Sequence, residues 1–413
     1  MQRYDTYKDS GVKWLGEIPS HWEVLALKHI LKSKKVIVGK YSSQYELLSL
    51  TLKGVVKRDM DNPEGKFPAS FDTYQAVEPN DFIFCNFDNE ETPRAVGLSP
   101  YKGMITGAYD VLSRKNLKLT DKYLIYYFLY IDDAKRFKPL YKGLRKTVPF
   151  DSFMSYKIPV PSIKEQDAIV NYLDTATAKI DAAIAQQQKM IDLLNERKQI
   201  IINRAVTRGL NPNARMKDSG VEWIGEVPEH WNLLPYRYLF YNLDKLRMPI
   251  TADQRSRNNP QYDYYGASGV IDKIDYYNVD DKVLLIGEDG ANLLMRNLPL
   301  IYKAEGKFWV NNHAHILKPI RDDYDYLAYV MEAADYTLFI TGSAQPKLSQ
   351  SNLNCVKLPI PPITEQKQIV DYLSKRTRKI DEAISESNKM ISLLQERKQI
   401  IINEVVTGKV KVG

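Results

Sequence analysis

A few stretches carry side chains whose type and spacing could do chemistry. His313-Ala-His315 has strand spacing, which would put both imidazoles on one face. With no third ligand in view, the pair reads as structural or contact histidines rather than metal ligands. Glu64-Gly-Lys66 and Glu305-Gly-Lys307 match the tail of a nuclease metal motif, but no Pro-Asp pair precedes either, so nuclease chemistry is not expected. There is no GxxxxGK[ST] phosphate loop, and hence no expected ATP motor. No [DNS]PP[YF] motif of amino-methyltransferases occurs, and Leu358-Pro-Ile-Pro-Pro reads as a strand terminus. What remains is a pair of polar loops, YKGLRKTVPFDSF from Tyr141 and TGSAQPKLSQSNL from Thr341, rich in groups that bind rather than react.

These loops occupy equivalent places in a duplicated chain. KDSGVKWLGEIPSHW (Lys8 to Trp22) returns as KDSGVEWIGEVPEHW (Lys217 to Trp231). The run from Glu165, EQDAIVNYLDTATAKIDAAIAQQQKMIDLLNERKQIIIN, returns from Glu365 as EQKQIVDYLSKRTRKIDEAISESNKMISLLQERKQIIIN. The stretches between scarcely align. So long a period is the duplication of a half-protein, not a solenoid, whose units run roughly 20–50 residues. Framework repeated and inserts diverged implies two different readers in equivalent places.

Leu173, Thr177, Ile180, Ile184, Gln187, Ile191, Leu194, Lys198, Ile201 and Ala205 alternate in steps of four and three. The second copy gives Leu373, Thr377, Ile380, Ile384, Ser387, Ile391, Leu394, Lys398, Ile401 and Val405. Uninterrupted heptads predict two helices of about 35–40 residues, roughly 55–60 Å each, with each other as natural partners. Separate packing of each helix on a globular domain is the alternative. Gln187 and Ser387 fall at the same mid-seam position, where polar residues set register. Proline-bearing strands, YKIPVPSIKEQ and VKLPIPPITEQ, precede the helices, and Ser162 or Thr364 is placed to cap them. The inserts, about 23–158 and 232–358, read as strand-rich α+β. NDFIFCNF and VLLIGEDG are short apolar strands, and the apolar run DYLAYVMEAADY is helically spaced.

The chain has 413 residues, a net charge of +7 and 28 tyrosines. Mean hydropathy is −0.40. The balance permits a polyanionic partner without requiring one. No stretch approaches the roughly 18 apolar residues of a membrane span. MQRYDTYKDS has no apolar signal core, so the expected compartment is the cytoplasm. Cys85 and Cys355 make neither a disulfide framework nor a zinc site, and both read as buried structural thiols.

The ordered, duplicated set of WLGEIPSHW and WIGEVPEHW, the GLRKTV and GSAQPKLS loops, the IPVPSIKEQDAIVNYLD and LPIPPITEQKQIVDYLS junctions and the KMIDLLNERKQIIIN and KMISLLQERKQIIIN helices resembles specificity subunits of type I restriction–modification systems. The resemblance covers essentially the whole chain. It implies an α+β fold with two pseudo-symmetric target-recognition domains separated by an antiparallel two-helix coiled coil. The domains would be residues 1–160 and 211–360, and the spacer helices 161–210 and 361–413. It implies a non-catalytic subunit that reads a bipartite site on double-stranded DNA, one half-site per domain, and directs adenine-N6 methylation and restriction by partners. Those partners are two methylation subunits, which bring S-adenosylmethionine, and two restriction subunits, ATP- and Mg-dependent translocases that can join them. No cofactor is expected in this chain. The terminal loops differ, GLRKTV against GSAQPKLS, which leaves base preference open.

Under this resemblance Arg, Lys, Asn and Gln would read base edges, and other basic and hydroxyl groups would fix register on phosphate. The candidates are Arg94, Tyr109, Lys142, Arg145, Lys146 and Thr147 in the first insert. In the second they are Ser268, Asn311, Asn312, His313, Ser343, Gln345, Lys347 and Ser349. The rival reading is a coiled-coil interaction scaffold whose inserts bind protein or ligand surfaces. It accounts for the helices but not for paired polar loops at matching positions.

Overall fold

The computed structural model describes residues 2–59, 68, 70–255, 259–342 and 345–412. Its helices are α1 (Asp121–Asp133), α2 (Phe150–Met154), α3 (Ile163–Arg208), α4 (Ala291–Met295), α5 (Tyr324–Ala333), α6 (Gln350–Leu353) and α7 (Ile363–Val406). The chain divides into two compact units, one of Met1–Gln187 with Lys389–Gly413 and the other of Gln188–Asn388. No helix among the described residues is long and apolar enough to cross a membrane.

In the first unit an antiparallel four-stranded sheet runs in the order Leu31–Ser33, Asp110–Arg114, Phe82–Phe84, Val96–Leu98. NDFIFCNF is apolar on both faces because each face has its own core. Phe82 and Phe84 pack with Tyr123, Leu124, Tyr127 and Phe128 of α1, while Ile83 joins Val55, Val77 and Val111. The second unit repeats this logic in a six-stranded sheet, Phe240–Asn242, Ala314–Pro319, Val279–Gly287, Ile301–Val310, Tyr262–Gly266, Gly269–Ile274. Leu284 and Ile286 face Tyr326, Leu327 and Val330 of α5; Val283 and Leu285 face Phe308, Val310 and Ile316.

The duplicated lead-in motif clamps the start of a long helix. In the first unit the buried Trp22 donates its indole N–H to Glu165 Oε1 at 3.2 Å, and His21 Nε2 lies 2.7 Å from the same oxygen. In the second, Trp231 donates to Glu365 Oε2 at 3.1 Å and His230 Nε2 lies 2.9 Å away. Burial opposes ionisation of Glu165, but the hydrogen bonds from His21, Ser162 and Trp22 outweigh it and hold the carboxyl below its usual range. Gln166 and Gln366 repeat the same pair of contacts. Gln166 donates to the Pro161 carbonyl and accepts from Thr120 N; Gln366 donates to the Pro361 carbonyl and accepts from Asp323 N.

Both long helices outrun the expectation, at 46 and 44 residues, or about 69 and 66 Å at 1.5 Å per residue. Their first turns lie outside the heptads because Ile169 and Ile369 pack into the heads instead of a seam. Ser162 caps α3 in a reciprocal box with Glu165. Thr364 does not cap α7: Pro362 holds that place, its carbonyl accepting from Glu365 N and Gln366 N, and Thr364 sits inside the first turn. Both helices end at glycines with positive φ, Gly209 (70°) and Gly408 (74°). A Cβ on Gly209 would come within 3.1 Å of the Trp231 ring, and one on Gly408 within 3.0 Å of Trp22.

Each unit pairs the first part of one long helix with the last part of the other, antiparallel. In the first, Leu173 shares a core with Ile402 and Val405, and Lys398 reaches Asp181 at 2.7 Å. In the second, Leu373 shares a core with Ile202 and Ala205, and Lys198 reaches Asp381 at 2.6 Å. Every expected seam residue is buried or half-buried. The thiols divide: Cys85 is buried, but Cys355 is exposed, contrary to expectation, because the chain turns outward after α6 before Val356 and Leu358 turn in.

Candidate nucleic-acid interface

In the first unit the polar loop is a hairpin. Lys142 N donates to the Thr147 carbonyl and Thr147 N to the Lys142 carbonyl, at 2.9 and 3.0 Å. The tip turns through positive φ at Gly143 (69°) and Lys146 (43°), which leaves Leu144 fully exposed. The hairpin rests on the turn after strand Phe82–Phe84: Asp88 N donates to the Arg145 carbonyl and Val148 N to the Asn86 carbonyl, both at 2.7 Å. That turn is acidic. Arg145 Nη2 lies 2.6 Å from Asp88 Oδ2, with the guanidinium carbon 4.8 Å from the centre of the Phe87 ring. Glu90 accepts from Lys138 Nζ at 2.9 Å and from Lys146 Nζ at 2.6 Å, and these two ammonium groups hold its carboxyl down to about 2. Lys142 stands exposed at the base of the tip and Thr147 is half-buried.

The second unit builds the same arrangement from other residues. Ile340–Thr341 pairs with Lys347–Leu348, and the hairpin rests on the turn after strand Val279–Gly287. Leu348 N donates to the Glu288 carbonyl at 2.9 Å and Gly290 N to the Pro346 carbonyl at 2.7 Å. Glu288 accepts from Arg247 Nη1 at 2.6 Å, and Lys347 Nζ lies 3.5 Å from it. Burial opposes the Glu288 charge, but Arg247 prevails and its carboxyl falls below the usual range. Gly342, at φ 92°, is required: a Cβ there would lie 2.7 Å from the Gln345 carbonyl oxygen. Gln345 is exposed, and Ser349 caps α6, its hydroxyl accepting from Asn352 N.

Four more candidates converge on this place. Glu288 N donates to the His313 carbonyl, His313 Nδ1 lies 2.9 Å from Asp289 Oδ2, and the Asn312 carbonyl accepts from Arg247. Ser268 is exposed in the turn whose preceding carbonyl, on Ala267, would meet a Cβ on Gly287 at 2.8 Å. Asn311 is buried, its side-chain oxygen accepting from His313 N, and so braces the segment. In the first unit Tyr109 is half-buried, its ring 5.9 Å from the Phe87 ring that carries Arg145. Arg94 is placed apart from the hairpin. It pairs with Asp132 and Asp133 at the end of α1, at 3.4 and 3.0 Å, and braces the chain there. Ser343 lies outside the described residues, as does Glu64-Gly-Lys66.

The two histidines do not act as a pair. His313 is exposed, whereas His315 is buried with Nδ1 at 2.6 Å from Asp244 Oδ2 and Nε2 at 2.8 Å from the Leu348 carbonyl. His315 thereby ties the sheet to the base of the hairpin. Burial works against the Asp244 charge, but His315 and Ile316 N hold its carboxyl low.

The model of the type I restriction modification DNA specificity domain matches residues 96–191 and 240–390, together more than half of the chain. The chain belongs to the type I restriction–modification DNA specificity family. Each matched stretch of this specificity subunit holds sheet strands, α1 or α5, the hairpin and the start of a long helix. The chain is 25% identical over 440 residues to the type I restriction enzyme MjaX specificity subunit of Methanocaldococcus jannaschii, covering 98% of each. It is 24% identical to the MjaVIII specificity subunit of the same organism over 75% of each chain. A solved chain described as the structural basis underlying complex assembly and conformational transition of the type I R-M system shares the fold, with TM-score 0.67, 12% identity and 95% and 99% coverage.

Sequence reasoning missed the acidic turns of the specificity subunit, Asp88 to Glu91 and Glu288 to Asp289, as well as Arg247 and the exposed tip of Leu144. A signal was present: in both inserts carboxylates directly follow the apolar strand, DNEE after FIFCNF and ED after VLLIG.

Proposed function

We propose that this chain reads a bipartite DNA sequence, each unit contacting one half-site through its hairpin and the segments gathered around it, while partner subunits methylate adenine and restrict. The observation that carries this reading is the repetition of one frame around two different hairpins. Clamp and hairpin seat are common to both units, and the hairpin sequences differ, GLRKTV against GSAQPKLS. Adenine-N6 transfer requires the base to leave the stack, a step assigned to methylation subunits that bring S-adenosylmethionine. ATP and Mg belong with the restriction subunits. A gel-shift of the chain with its methylation subunits, on a duplex carrying the motif found by mapping methylated adenines in the host genome, tests the reading. Equal binding to a shuffled duplex defeats it.

At the tips, the Arg145 fork suits a guanine edge and the Gln345 amide an adenine edge. Arg145→Ala and Gln345→Ala are each expected to weaken cognate binding by about 1–3 kcal/mol, measured at fixed salt. Each should relax selectivity at one position, in different half-sites.

Two methylation subunits are expected because each unit offers a copy of the same exposed helix stripe. Met190, Leu193 and Ile200 form it on α3, and Met390, Leu393 and Ile400 on α7. Spacings of three and seven residues keep each set on one face. Leu193→Asp together with Leu393→Asp should leave the chain folded and remove both methylation subunits in native mass spectrometry. Full retention of both would place the docking elsewhere.

A further inference from the structure

Carboxylates at a surface meant for a polyanion need a reason, since each repels phosphate. Here they recur in two heads of unrelated sequence, each joined to the hairpin by backbone hydrogen bonds. Asp88 N donates to the Arg145 carbonyl, and Leu348 N to the Glu288 carbonyl. The side-chain geometry is specific. Asp88 takes the Nε and Nη2 side of the Arg145 guanidinium, at 3.2 and 2.6 Å to Oδ2, while the Phe87 ring covers one face at 4.8 Å. Nη1 and the second hydrogen of Nη2 are left to point end-on, the pair that matches the two acceptors of a guanine edge. In the second unit Glu288 gathers Arg247 at 2.6 Å and Lys347 at 3.5 Å.

We propose that Asp88 and Glu288 are positioning residues for sequence readout: Asp88 holds Arg145 in one orientation toward a base edge, Glu288 holds Lys347 beside its hairpin, and both withhold these cations from the phosphates of non-cognate DNA. This rests on the DNA-reading function proposed above. The argument is one of differential binding. A cation already matched by a carboxylate gains little from a generic phosphate, whereas an oriented fork keeps its full gain at a matching base pair. A free, swinging arginine would bind any duplex more tightly and distinguish less.

The test uses the full chain assembled with its methylation subunits, a duplex carrying the motif mapped from the methylated adenines of the host genome, and a shuffled duplex, each titrated over a salt series. Asp88→Asn is the informative variant, because Asn tolerates the positive φ of 46° at this position and removes only the charge. The expected result is severalfold tighter binding to the shuffled duplex, a salt slope steeper by about 0.9 for one added phosphate contact, and a specificity ratio about tenfold lower. Asp88→Glu should restore most of the ratio. In an Arg145→Ala background, Asp88→Asn should change nothing further. An unchanged ratio and slope in Asp88→Asn, or an equal loss without Arg145, overturns the inference. Failure of the unsubstituted complex to separate the two duplexes defeats the DNA-reading function itself, and is told apart because it appears before any substitution is made.

Discussion

Exchanging residues 232–358 for the second insert of another family member is expected to rewrite one half of the methylated motif and leave the other half intact. The structure makes the exchange geometrically clean. Strand Asn232–Pro235 pairs antiparallel with strand Lys357–Ile360, Pro235 opposite Lys357 and Leu234 opposite Leu358, so the two ends of the insert leave the frame side by side. Trp231, Glu365 and Gln366 lie outside the exchanged segment, and the clamp on α7 survives. Everything gathered at the second candidate site, from Arg247 through Asn311 to His313 and the hairpin to Ser349, moves as one block. Each lost base-pair match costs about 1–3 kcal/mol, so losing three should weaken binding to the original site on the order of a hundredfold or more. Sequencing of methylated adenines reads the outcome directly. A change in both half-sites, or in neither, would refute the assignment of one reader to each unit.

The frame was largely legible in the sequence because it is repeated. Copies of WLGEIPSHW and of the EQ-led helices mark what must be conserved between two heads, and the heptads mark the seam. What the sequence concealed was the pairing of these pieces. Nothing in the chain says that Trp22 and His21 meet Glu165, some 140 residues on, because a tryptophan reads as core and a glutamate as solvated surface. The helices ran longer than their heptads because Ile169 and Ile369 serve a head and not a seam, and so break the repeat without breaking the helix. The candidate site was legible in place but not in chemistry. The tip residues were singled out from their types, whereas the carboxylates beneath them were not, since surface acids are ordinarily read as solvation. Arg94 shows the converse: an arginine in a loop suggests a contact with DNA, and its type does not report the two aspartates at the end of α1 with which it pairs. The exposure of Cys355 turned on a single outward bend after α6, which neighbouring apolar residues do not report.

The largest stability effect is expected at the clamp. Trp231 is fully buried among Ile202, Val206, Leu358 and Leu373, and its indole N–H is held by Glu365. Trp231→Ala would open a cavity at the junction of the lead-in motif, the start of α7 and the end of α3, where the Gly209 turn is fitted against the ring. Large-to-small changes of this kind cost about 3–5 kcal/mol, a large share of the roughly 5–15 kcal/mol that holds a domain together. The loss should exceed that of His230→Ala, whose ring is mostly exposed and whose contact with Glu365 belongs to the surface class worth at most about 1 kcal/mol. Hydrogen exchange followed by mass spectrometry separates the outcomes. Trp231→Ala should deprotect strands Asn232–Pro235 and Lys357–Ile360 and the first turns of α7, and Trp22→Ala the corresponding strands Glu23–Ala26 and Lys157–Val160 with the first turns of α3. Equal, global deprotection by either substitution would mean that the clamp does not act head by head. Each head's hairpin would then owe its placement to something other than its own tryptophan. Local deprotection, by contrast, makes the clamp the reason one frame can carry two independently exchangeable readers.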